Sequence, residues 1–175
     1  MMYADARPLI RSGDLVAFRR SCWTTWHGVK VNLARWLCGS RYSHVAITWV
    51  VSGRVFVIEA VKPVLRIHSL SDLGDFYLLS MGAHWRASTE HYALAGIGTR
   101  YSELLALKAF FAALPDGNIE QCAAYVREIL KREGINLGAR STPDAVVMAA
   151  QAAGAELMFV DAQRPTPQQH ESEFR

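Results

Sequence analysis

The chain reads as a single domain of the α+β class. Short β-type runs gather between residues 12 and 81, and stretches with apolar residues at three- and four-residue steps dominate the second half. At 175 residues, 51% of them hydrophobic and 20% charged, the chain can bury one sizeable core.

The elements follow in order. "SGDLVAF" (12–18) predicts a strand, with Gly13-Asp14 as the turn that leads into it. Trp26, Val29, Leu33, Trp36 and Leu37 form the stripe of an amphipathic helix that Gly39 would stop. "YSHVAITWVVSGRVFVIEA" (42–60) predicts a hairpin, and 63–70 and 75–81 predict two further short strands. Residues 88–98, 102–114, 118–134 and 142–154 predict helices. In the third of these, Asn118 suits the N-cap, Gln121 follows as in a capping box, and Gly134 suits the C-cap. Pro143 suits the first turn of the fourth. One domain is expected over 1–160, followed by a flexible polar tail over 161–175 with two prolines.

The formal charge of +3 is too small to argue for nucleic acid, and no basic run or nucleic-acid motif is present. The first residues lack the apolar run of a signal peptide, and no stretch of eighteen apolar residues predicts a membrane span. Cytoplasmic synthesis is therefore expected. Three cysteines, Cys22, Cys38 and Cys122, with no CxxC spacing, argue against a disulfide framework and a structural zinc site.

The hairpin carries the first chemical signal. Val45, Ile47, Trp49 and Val51 share a bulky face that belongs in a core. His44, Ala46, Thr48 and Val50 share a smaller, more polar face expected to border a cleft. A two-residue turn at Ser52-Gly53 pairs Ala46 with Glu59 and His44 with Val61. Glu59 is then diagonal to His44 on the same face, roughly 7–8 Å away at Cα, within reach for a carboxylate that orients an imidazole. A one-residue slip would put Glu59 on the opposite face.

A nucleophile is the group such a pair would serve. Cys122 falls in the first turn of its helix if Asn118 is the N-cap. The helix dipole and unpaired N–H groups there favour a thiolate and can hold an oxyanion. Taken alone, Cys122 reads as packing, since free cysteine is among the most buried residue types. His44 alone would be a strand-end histidine, and Glu59 a solvated strand terminus.

In this order, "SGDLVAF", "YSHVAI", "VIEA", "GTRYSEL" and "EQCAAYVREIL" resemble the permuted NlpC/P60 superfamily over residues 11–150. The match is to the branch whose histidine precedes its cysteine. The resemblance implies a permuted papain-like fold, a small antiparallel sheet or partial barrel packed against helices. It implies Cys122 as nucleophile, His44 as base and Glu59 as orienter, with no metal or organic cofactor. Tyr42, Trp23, Trp26 and Tyr101 are the expected substrate-lining residues, and His68 is the alternative orienter.

The substrate class implied is an amide in a peptidoglycan stem peptide. Without a signal peptide, a phage tail or secretion assembly would deliver the chain to the cell envelope, with tail 161–175 as the docking arm. Two rivals stand beside this reading. One is a lipid or acyl-amide hydrolase or acyltransferase on the same fold; the other is a non-catalytic structural component of a phage or secretion complex.

Overall fold

The computed structural model describes residues 1–19, 41–61, 64–83, 85–98, 118–140 and 142–162. The helices expected over 26–37 and 102–114 lie outside the described residues, as does the tail from 163 onward. The described strands are β1 (Leu15–Phe18), β2 (His44–Val51), β3 (Arg54–Val61), β4 (Val64–Ser69), β5 (Phe76–Leu79) and β6 (Leu157–Val160). The described helices are α1 (Tyr3–Ala6), α2 (Ala87–Ala95), α3 (Asn118–Arg132) and α4 (Pro143–Ala152). Single 3₁₀ turns occupy Arg7–Leu9 and Leu70–Asp72.

The result is a mixed α+β fold around one antiparallel sheet in the order β4-β3-β2-β1-β5-β6. The β2–β3 hairpin has the expected register, with Val51 opposite Arg54 and Ile47 opposite Ile58. Its turn residues both have positive φ, 49° at Ser52 and 71° at Gly53, the type I′ geometry that matches the right-handed twist of paired strands. Arg7 braces this turn from outside by donating to the Gly53 carbonyl at 2.6 Å.

Two apolar clusters cover the two faces of the sheet. On one, Leu15, Val45, Ile47 and Ile58 pack against α3 and α4. Helix α3 supplies Cys122, Tyr125, Val126, Ile129 and Leu130, the three-and-four spacing of a buried stripe. On the other face, Val16, Ala46, Val57 and Phe76 pack against Ala6, Ile10 and Leu70. The expectation that the Ala46–Thr48 face borders a cleft is therefore corrected. Ala46 and Thr48 are both fully buried, because the N-terminal segment and the loop after β4 cover that face. Val51, expected in the core, is exposed where the strand runs into its turn.

Asp14 fixes the start of β1 as expected. Its buried carboxylate accepts from the Arg11 N–H at 2.8 Å and the Met81 N–H at 3.0 Å. Gly13 has φ +92°, and a Cβ there would meet the Ala83 Cβ at 2.9 Å, so no larger residue fits. Strand β6 and helix α1 carry no assignment from sequence. β6 closes the sheet beside β5, and Met2 pairs with Asp161. Thr142 caps α4 by accepting from the Ala145 N–H at 3.3 Å.

Ser52 is the one described non-glycine residue at positive φ. Asn tolerates that region better than Ser, and Asn-Gly is the favoured type I′ pair. Ser52→Asn should therefore stabilise the protein by about 0.5 kcal/mol without moving the register. The midpoint of urea unfolding reads this directly.

Candidate active site

His44 opens β2, opposite Phe18 at the end of β1. Several contacts fix the backbone that leads into it. Ser43 donates to the Phe18 carbonyl through its N–H at 2.8 Å and through its hydroxyl at 3.1 Å. The Asp144 carboxylate, in the first turn of α4, accepts from the N–H groups of Arg41 and Tyr42 at 3.0 and 3.2 Å. The Phe18 ring stacks on the imidazole, with centroids 5.9 Å apart and planes 28° from parallel. The ring is thus held at its root and on one face.

The β2–β3 register, continued one more pair, puts Glu59 opposite Ala46 and diagonal to His44. His44 Nε2 and Glu59 Oε2 are 2.7 Å apart, and the Glu59 side chain is only 3% exposed. The second carboxylate oxygen, Oε1, accepts from Arg66 Nε at 2.7 Å. Arg66 stands directly opposite Glu59 in β4. One buried carboxylate thus joins a cation-forming side chain from each neighbouring strand.

Cys122 completes the arrangement from α3. Its side chain hydrogen-bonds the His44 imidazole, and since Nε2 is committed to Glu59, Nδ1 is the ring nitrogen left for the thiol. Cys122 itself is 1% exposed and packs in the helix-side core. His44 stacks on Phe18, which belongs to the other cluster. The group therefore lies at the end of the sheet where the two cores meet.

Helix α3 is described from Asn118, and Cys122 is the fifth residue of that range. In an α-helix the N–H of the fifth residue already bonds the carbonyl of the first. The N–H of Cys122 is therefore committed within the helix.

The charges reinforce one another. Burial would hold His44 neutral, but the charge and hydrogen bond of Cys122, followed by those of Glu59, outweigh it and raise its pKa from 6.5 to about 10. Burial would likewise push the Glu59 carboxyl up. The hydrogen bonds and charges of His44 and then Arg66 hold it below the ordinary carboxylate value instead.

Tyr42 is buried in the helix-side core, 6% exposed and edge-on to Tyr77 at 5.5 Å. Trp23, Trp26 and Tyr101 lie outside the described residues. His68 stands opposite Val57 in β4, and Glu59 is the residue hydrogen-bonded to His44 Nε2. Sequence reasoning did not single out Arg66, Phe18 or Asp144. Arg66 had a signal: a two-residue connection after Val61 would place it opposite Glu59. Asp144 had none, since its bond to Arg41 joins residues 103 apart.

The chain matches no protein-family model and no curated protein. Among the described residues no group of three His, Cys, Asp or Glu side chains is placed to hold a metal ion. No described helix is long and apolar enough to cross a membrane.

The two shifted groups act on stability in opposite pH ranges. The folded pKa of His44 lies above its unfolded value, so its contribution is full below about pH 6.5 and is lost as pH rises through about 10. Glu59 is shifted down, so its contribution is full above pH 4.5 and is lost as pH falls through the folded value. His44→Gln should therefore lower the thermal midpoint at neutral pH, and its deficit against wild type should shrink as pH passes about 10. Thermal unfolding of both proteins across that range checks this. A deficit that stays constant would mean that His44 contributes packing alone.

Proposed function

We propose that this chain is a cysteine hydrolase of amide bonds, of the permuted NlpC/P60 type, acting on peptidoglycan stem peptides. One observation carries the reading. A single imidazole is bonded on one side to a buried carboxylate and on the other to a thiol near the start of a helix. The order of the motifs in the chain supports the choice of family and of substrate.

In this reading the resting site holds a Cys122 thiolate and a His44 imidazolium. The sulfur attacks the carbonyl carbon, forming the C–S bond and an oxyanion. In this reading, backbone N–H groups near the start of α3 hold that oxyanion. As the C–N bond breaks, the imidazolium gives its Nδ1 proton to the leaving amine. Neutral His44 then takes a proton from water, which attacks the thioester. The C–S bond breaks, the acid leaves, and the thiolate–imidazolium pair is restored. Glu59 holds the ring through both halves. No metal or organic cofactor takes part in these steps. Delivery to the envelope by a phage tail or secretion assembly, docked through tail 161–175, is part of the same proposal.

The burial of Cys122 favours a second reading, in which the fold is kept as a structural component of such an assembly without turnover. Iodoacetamide labelling with peptide mapping separates the two. A nucleophile predicts that Cys122 reacts before Cys22 and Cys38, and that His44→Ala slows it. A scaffold predicts that Cys122 reacts last and ignores the substitution.

Digestion of purified cell walls, with mass spectrometry of the fragments, tests the substrate. Wild type should release stem-peptide fragments and Cys122→Ala none. Release of fatty acid from N-acyl lipids, with walls left intact, would instead identify a lipid amidase. Turnover should fall as pH rises through about 10, where the imidazolium loses the proton owed to the leaving amine.

A further inference from the structure

We propose that Arg66 is a positioning residue of this site: it keeps the proton of the Glu59–His44 hydrogen bond on Nε2 of the imidazole, so that Nδ1 faces Cys122 ready to give or take the proton that moves in turnover. This rests on the hydrolase reading above.

Glu59 has two oxygens, and each has one partner: Oε2 meets His44 Nε2, and Oε1 meets Arg66 Nε, both at 2.7 Å. A carboxylate that is 3% exposed has almost no water to stabilise its charge. While His44 is an imidazolium, two cations share that task. Arg66 lowers the proton affinity of Glu59 throughout. Without it, the Nε2 proton of the imidazolium would be drawn toward the carboxylate.

That transfer matters because of where it leaves the other proton. If Glu59 takes the Nε2 proton of the imidazolium, Nε2 becomes an acceptor and the one N–H of the now neutral ring is on Nδ1. A neutral imidazole is a far weaker acid than an imidazolium, so that Nδ1–H is poorly able to pass its proton to the leaving amine. If Glu59 stays a pure acceptor, the neutral ring keeps Nε2–H and presents the Nδ1 lone pair. A guanidinium suits this role, since it stays charged at every working pH. Arg66 lies directly across from Glu59, and its side chain is 45% exposed, so the guanidinium keeps much of its own hydration. The titratable groups facing Glu59 are His44 from β2, Arg66 and His68 from β4, and Cys122 from α3 through His44.

Histidine ¹⁵N NMR tests the proposal without turnover, in a Cys122→Ser background that removes the thiolate. With Arg66 present, Nε2 should give the signal of a protonated nitrogen at neutral pH. In Arg66→Gln it should move toward the signal of an unprotonated acceptor, and in Arg66→Lys it should stay near the parent value. In proteins that retain Cys122, Arg66→Gln should lower kcat about tenfold, the equivalent of one pKa unit in the proton balance, with KM little changed. Arg66→Lys should recover most of that loss. An unchanged Nε2 signal in Arg66→Gln, with wild type turning over amides, overturns the role of Arg66 alone. The expected signal change, in a protein whose wild type cleaves no amide, supports Arg66 and overturns the hydrolase reading. If Arg66→Gln unfolds, the Arg66→Lys spectrum decides, since loss of the protonated Nε2 signal despite a retained positive charge overturns the proposal.

Discussion

A carboxylate inside a protein is tolerated when its charge is met by partners, and Glu59 meets this condition through strand pairing. It lies almost wholly out of solvent, with His44 on one oxygen and Arg66 on the other. His44 reaches it from β2 and Arg66 from β4, so both contacts depend on the register of three consecutive strands. A slip of one residue in either ladder would turn a partner to the other face and leave one carboxylate oxygen buried without it. The ion pairs and the register thus enforce each other.

The sheet around this group is covered on both faces, which limits where a polar side chain can meet another element. Helices α3 and α4 seal one face, and the N-terminal segment with Leu70 seals the other. Polar side chains in the middle of such a sheet must be satisfied internally, as Thr48 is by the Arg11 and Asp14 carbonyls at 2.5 and 3.1 Å. His44 sits at the end of its strand, where the imidazole can reach past the last pair toward α3. The same helix stripe that holds the core together, through Tyr125, Val126 and Ile129, also carries Cys122 toward that end.

Orientation of the imidazole is distributed over several elements. Glu59 sets one nitrogen, Phe18 one ring face, and Ser43 and Asp144 the backbone leading to the residue. Each contact is modest, but together they remove most of the freedom of a side chain that has only two rotatable bonds. Asp144 also lies in the first turn of α4, where a negative charge favours the helix dipole, so one carboxylate serves helix and loop together.

The residues that form the hairpin were legible because local rules govern them. The alternation of Val45, Ile47 and Trp49, and the Ser-Gly pair, specify strand, turn and register without reference to distant residues. The same locality revealed α3, whose apolar spacing is periodic, and the partnership of His44 with Glu59, which follows from register. Strand β6 was not legible, since four residues become a strand only because β5 offers an open edge. The cover over the Ala46 face was hidden for a similar reason, because the N-terminal segment that provides it is distant in sequence. Cys122 could be nominated by its place in a helix, but its contact with His44 depends on how α3 packs on β2 and β3, a long-range arrangement that no local pattern encodes. Sequence by itself determined which side chains could act and on which elements they ride. Tertiary structure decided which of them meet, because meeting depends on packing between segments separated by many residues.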